Sequence, residues 1–169
     1  MAENRNDGRG APQPQQQQQQ PNMSVLAQYV KDLSFENPGA PQSLRSRQTA
    51  PTINISINVH GGQIVNSEVE VELKLDVRAV EAETVVFAIE LVYAGLFRLT
   101  NIPQEALQQL MMIQCPQLLF PFARQIIADA SRNGGFPPLM IDPVDFISLY
   151  RQRVAEMQAR QAPPRDQLA

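Results

Sequence analysis

The chain has 169 residues, enough for one ordinary domain and too few for two. Fourteen basic residues against seventeen acidic ones leave a formal charge of -3, which argues against a surface built to grip nucleic-acid phosphates. One cysteine cannot form an internal disulfide. Residues 1–7 lack the apolar core of a signal peptide, and the longest apolar stretch, 84–99, is interrupted by Glu90 and Arg98. A soluble cytoplasmic protein with no direct membrane insertion is expected.

Residues 1–22 read as a disordered leader, because Gly8, Gly10, three prolines and the run Gln15 to Gln20 offer almost nothing to bury. Residues 158–169 read as a flexible tail of similar composition. The C-terminal stretch carries Arg151, Arg153, Arg160 and Arg165 against Glu156 and Asp166, which makes it the better of the two ends for docking a partner. Between them, residues 23–157 form one domain.

Four segments in its first half read as strands. Residues 24–35 are β-prone but alternate imperfectly, and the segment stops at Glu36-Asn37-Pro38-Gly39-Ala40-Pro41. Residues 42–50 have no period and read as a crossing loop. Next, Ile53, Ile55, Ile57 and Val59 alternate with Asn54, Ser56, Asn58 and His60, the pattern of a half-buried strand ending at Gly61-Gly62. Val69, Val71, Leu73, Leu75 and Val77 then alternate with Glu68, Glu70, Glu72, Lys74, Asp76 and Arg78, the cleanest period of two in the chain. Residues 84–93 are more continuously apolar, and Ala94-Gly95 marks a bulge or kink before Leu96 to Leu99.

The second half changes period. Thr100 or Asn101 can cap a helix whose first turn contains Pro103, with Leu107, Leu110 and Met111 on one face. Cys115-Pro116 predicts a kink. The helix resumes with Leu118, Leu119, Phe122, Ile126 and Ile127, and stops at Asn133-Gly134-Gly135. Phe120 and Phe122 are assigned to core or subunit contact. Residues 136–143 are a stiff apolar connector, and residues 144–157 form a last amphipathic helix carrying Phe146, Leu149, Tyr150 and Val154. Strands first and helices second predict an α+β fold, a four-stranded antiparallel sheet followed by two main helices.

Candidate chemistry is sparse. His60, the single histidine, sits on the polar face of a strand, and Cys115 has no Lys or Arg near it in sequence. No CxxC, HExxH or phosphate loop is present, so no enzyme, metal or cofactor is expected. What stands out is apolar surplus beside an acidic face. From 64 to 90, seven acids face two bases. Glu90 lies inside an apolar strand, where it must be exposed or pay several kcal/mol for burial, and so suggests a partner-facing sheet surface. Phe136-Pro137-Pro138-Leu139-Met140-Ile141 is rigid and apolar together, suited to wall a groove. An adaptor module whose sheet docks a folded partner fits the same residues, and a small-molecule enzyme fits less well.

Several of these segments carry a resemblance. Tyr29-Val30-Lys31-Asp32-Leu33-Ser34-Phe35-Glu36-Asn37-Pro38 resembles the N-terminal signature of SecB, the bacterial protein-export chaperone family. So do the stretch from Glu90 to Phe97, Cys115-Pro116-Gln117-Leu118-Leu119-Phe120-Pro121-Phe122-Ala123-Arg124, and Gly135-Phe136-Pro137-Pro138-Leu139 followed by Pro143-Val144-Asp145-Phe146. The similarity runs from about residue 24 to residue 150. It implies a homotetramer, a dimer of dimers, acting as an ATP-independent holdase that keeps precursor proteins unfolded and delivers them to the SecA motor. It places SecA binding on Asp32, Glu36 and Glu90. It places the client groove on Phe35, Leu44, Phe87, Phe136, Leu139, Ile141 and Phe146. Two positions depart from familiar members: the crossing loop has Leu44 where they carry a tryptophan, and Gln114 precedes the Cys-Pro pair where an aromatic is common.

Overall fold

A computed structural model describes residues 20–46 and 49–161. The leader up to residue 19 and the tail from residue 162 lie outside the described residues. Strands β1 (Asn22–Glu36), β2 (Thr52–Gly61), β3 (Glu68–Glu81) and β4 (Thr84–Thr100) form one antiparallel sheet in the order β1-β4-β3-β2. Helix α1 (Gln104–Gln109), a π-turn (Leu110–Gln114), α2 (Cys115–Asn133) and α3 (Phe146–Gln161) follow. β1 begins at Asn22, inside the segment read as leader, and α3 runs to Gln161, beyond the predicted end at 157.

The period of two in β3 decides how the sheet packs. Val69, Val71, Leu73, Leu75, Val77 and Ala79 are all buried, and register sets them opposite Phe97, Gly95, Tyr93, Leu91, Ile89 and Phe87 of β4. That face lies under α2, whose Cys115, Leu119, Phe120, Ala123 and Ile127 complete the core. Each fully buried Leu, Ile or Phe contributes about 1.5–3 kcal/mol. The opposite face, with Glu68, Glu70, Glu72, Lys74, Asp76 and Arg78, stays open to water.

Two local expectations change, and the Cys-Pro step takes a particular form. β4 is continuous through Gly95; register shifts fall instead in β1, between Val25 and Ala27 and between Val30 and Asp32, and at Ala79/Val80 of β3. Gly95 is small because the Phe97 ring and α2 both close on it: a Cβ would lie 2.6 Å from Phe97 Cε2 and 2.8 Å from Leu119 Cδ2. The Cys-Pro step is met by the π-turn, whose wider winding shifts the hydrogen-bond register just before Pro116. Neither Thr100 nor Asn101 caps α1: Thr100 ends β4, and Pro103 is the N-cap.

The end of α2 closes as expected. Phe136 N–H donates to Ser131 C=O at 3.1 Å and Gly135 N–H to Arg132 C=O at 3.0 Å, a Schellman turn with Gly135 at φ 88°. α3 is anchored by Phe146, edge-on to Phe120 at 5.9 Å, and by Arg153, whose guanidinium donates to Val59 C=O at 2.6 Å.

Cys115 is sealed in this core, and desolvation pushes its thiol up to about 12. The native protein is expected to react with a thiol reagent at pH 8 at least about a hundredfold more slowly than the unfolded chain. Equal rates, followed by absorbance with and without denaturant, contradict this packing.

Candidate functional site

The residues singled out in sequence divide into three places. Phe35, at the end of β1, pairs across from Ile89, and Phe87 lies on the same sheet face of β4. Phe136 is delivered to them by the Schellman turn. Phe87 and Phe136 approach at 4.6 Å between ring centroids, Phe35 and Phe87 stack at 6.0 Å and 19°, and Phe35 and Phe136 meet at 6.4 Å. Such pairs contribute about 0.5–1.5 kcal/mol each beyond their buried area. Phe87 is buried at the base, Phe35 and Phe136 are half-buried, and Leu44, at 47% exposure, lies against Gly135 at the rim.

The apolar connector is held against α2 by a side chain that the sequence did not flag. Ser131, fully buried, donates its hydroxyl to Ala128 C=O at 3.0 Å and accepts Leu139 N–H at 2.8 Å. A serine in the last turn before Gly134-Gly135 is the signal available for it. Leu139 is thereby fixed half-buried, and Met140 is left 59% exposed beside it. Ile141 and Phe146 are different. At 5% and 1% exposure they are core side chains of this protomer rather than sidewalls open to solvent.

The second place is the helix-free sheet face. Ser34 sits opposite Glu90, so Asp32 and Glu36 are its diagonal neighbours on β1, and Asp76 of β3 lies directly opposite on the other side. Asp32, Glu36 and Glu90 are exposed. Diagonal positions are roughly 7–8 Å apart, which gathers the three carboxylates into one patch. Further along the face the charge is answered internally. Lys31, the extra residue of a β1 bulge, reaches Glu70 at 2.8 Å and Glu72 at 2.5 Å, and Tyr29 donates to Glu70 at 2.5 Å. Those bonds hold the Glu70 carboxyl below the usual carboxylate range, and the bond to Glu70 holds the Tyr29 phenol above its own. Among the described residues no ion pair reaches Asp32, Glu36 or Glu90.

Two further surface features arise only in three dimensions. A groove of about 410 Å³ between β2 and α3 has a mixed lining, with Ile57, Val59, Met112, Leu149, Tyr150 and Met157 interleaved with Asn58, Gln152, Arg153, Glu156 and Arg160. At the opposite edge of the sheet, on the same helix-covered face, Val25, Val30 and Leu33 of edge strand β1 are 40–46% exposed, and Leu118 and Phe122 of α2 are 43% and 52% exposed. Phe122 stacks on Tyr93 at 6.3 Å.

His60 is exposed on β2, and the thiol of Cys115 is held protonated by burial. Among the described residues no group of three or more His, Cys, Asp or Glu is placed to hold a metal ion, and no helix is long and apolar enough to cross a membrane.

Comparison with known proteins agrees with this geometry. The family model described as preprotein translocase subunit SecB matches residues 16–157. The protein-export protein SecB of Rhodopseudomonas palustris strain BisB5 is 56% identical over 158 residues, covering 94% of this chain and 98% of that protein. SecB of Agrobacterium fabrum is 57% identical over 140 residues, 83% of this chain and 88% of its own length. Among solved structures, a SecB-like chaperone of Mycobacterium tuberculosis, in complex with a ChAD peptide from an antitoxin, superposes with a TM-score of 0.56 at 14% identity. That match covers 72% of this chain and 90% of the other, and so supports the fold. With its motifs, its sheet and helices, and relatives above 50% identity over most of its length, the chain belongs to the SecB family of protein-export chaperones.

Proposed function

We propose that this chain is an ATP-independent holdase that captures unfolded precursor proteins in the cytoplasm and delivers them to the SecA motor. The observation that carries this reading is the wall formed by Phe35, Phe87, Phe136 and Leu44, which keeps apolar surface accessible at the edge of a well-packed core. An extended client presents apolar side chains at alternating positions. Each one buried against such a wall gains about 1.5–3 kcal/mol without requiring a particular sequence. Because the rings are already packed against one another, little side-chain freedom is lost on binding. Copies of such a wall on one particle add through effective concentration.

Self-association fits the apolar band of β1 and α2. Val25, Val30, Leu33, Leu118 and Phe122 border an edge strand with no strand on its outer side, and a second copy covering them removes both the apolar area and the open edge. In the proposed particle two such dimers form the tetramer.

Delivery uses the wet face. Asp32, Glu36 and Glu90 form a carboxylate patch that suits a basic surface of the motor, while Lys31 pairs with both Glu70 and Glu72 and offsets one of their two charges. Separate faces for client and motor let the motor approach a loaded chaperone and compete for its cargo without a nucleotide site in this chain.

Purified protein is expected to suppress aggregation of a denatured, reduced precursor at near-stoichiometric ratios. Phe136→Ala is expected to weaken client binding about tenfold or more with little change in particle mass by light scattering. Wild-type suppression by that variant contradicts the wall. Glu90→Lys is expected to lower affinity for the motor about tenfold and leave client affinity within about twofold, measured by calorimetry. Parallel loss of both affinities, or loss of neither, removes the face assignment.

A further inference from the structure

Gly134 and Gly135 end α2 for two different physical reasons. Gly135 has φ 88°, a conformation the Schellman turn requires and other residues adopt with strain. Gly134, the C-cap, has φ -74° and ψ -1°, in the right-handed region that L-residues with a side chain also adopt. The backbone therefore gives no reason for glycine at 134.

Space gives one. A Cβ on Gly134 would lie 2.0 Å from Phe35 Cζ and 2.6 Å from both of its Cε atoms, the tightest such approach among the described glycines. The tip of the Phe35 ring occupies the place of the missing side chain. Nor can the ring yield inward. Phe87 is stacked on it at 6.0 Å, Phe136 lies at 6.4 Å, and its backbone is fixed by pairing with Ile89 and, one residue on, of Glu36 with Ala88. An added methyl group must drive Phe35 out of the cluster toward solvent. Leu44 rests on Gly135 in the same manner, 2.9 Å from the place of a Cβ, so one side chain before the β1–β2 crossing and one within it dock on the end of α2.

We infer that Gly134 is a positioning residue for client binding: its absent side chain is the seat that holds Phe35 within the three-ring wall. The inference rests on the holdase reading above and goes beyond it by naming what sets the wall's shape. Gly134 touches no client. It acts through Phe35.

The test uses the full chain with 2-fluorophenylalanine at all seven phenylalanine positions, whose fluorine lies away from the ring tip, observed by fluorine NMR and titrated with a labelled, reduced, unfolded precursor. Gly134→Ala is expected to move the resonances of Phe35, Phe87 and Phe136, assigned by single Phe→Leu replacements, and to leave Phe97 in place. Client affinity is expected to fall about tenfold or more. Phe35→Leu vacates the seat, so Phe35→Leu/Gly134→Ala is expected to bind within about twofold of Phe35→Leu alone. A role in capping the helix, by contrast, makes the alanine cost the same in both backgrounds. Additive losses overturn the inference, as does wild-type affinity in Gly134→Ala. Moved resonances with unchanged affinity remove the client role of the seat and leave the holdase reading standing. Moved resonances in a protein without preference for unfolded chains remove both. Should Gly134→Ala alone fail to fold, the double variant must fold and bind like Phe35→Leu, and a double variant that does not overturns the inference.

Discussion

A single sheet with helices on one side has to keep its other side compatible with water, and here that requirement is met by carboxylates. The alternation in β3 sends Val69 to Ala79 under α2 and Glu68 to Arg78 outward. Register then carries the division across to β4 and β1, which sets Glu90 between Asp76 and Ser34 and brings Asp32 and Glu36 beside it. A one-residue slip of any strand would bury these acids and expose the core. The same constraint separates the two proposed activities: apolar capture on the helix side, and recognition of a basic partner on the wet side.

The apolar side is not sealed everywhere. α2 ends at Gly134 and Gly135 before it covers the end of β1, and the chain turns there into a proline-stiffened connector held by Ser131. Phe35, Phe87 and Phe136 meet in the space so left, with Leu44 at the rim. The turn that stops the helix is therefore what creates an accessible wall. Binding by such a wall draws on area and preorganisation rather than on directed hydrogen bonds, which is why it suits clients of many sequences.

Much of this was legible in the sequence because it depends on local periodicity. The strands of 53–59 and 69–77, the glycine stop after Asn133 and the exposure of Glu90 all follow from side-chain alternation or turn chemistry. The misreadings have tertiary causes. Gly95 looked like a bulge and is instead the point where Leu119 crosses the sheet. The π-turn that precedes the Cys-Pro step has no signature in the side-chain period, since it depends on how the helix winds and not on which face is apolar. Phe146 and Phe136 are equally apolar in sequence, yet one is locked against Phe120 and the other reaches Phe35 and Phe87. No periodicity distinguishes them, because the difference lies in which element each one meets. The β2–α3 groove was illegible for the same reason, since its walls come from β2, the π-turn and α3.

The central claim is that the apolar wall recognises chains for being unfolded. Calorimetric titration of the assembled protein with one precursor, held unfolded in one experiment and folded in the other, tests it most directly. Binding of the unfolded form at least about a hundredfold tighter, with a negative heat-capacity change from apolar burial, is the expected result. Equal affinity for both forms, or tighter binding of the folded one, contradicts the claim and identifies a module that docks a native partner.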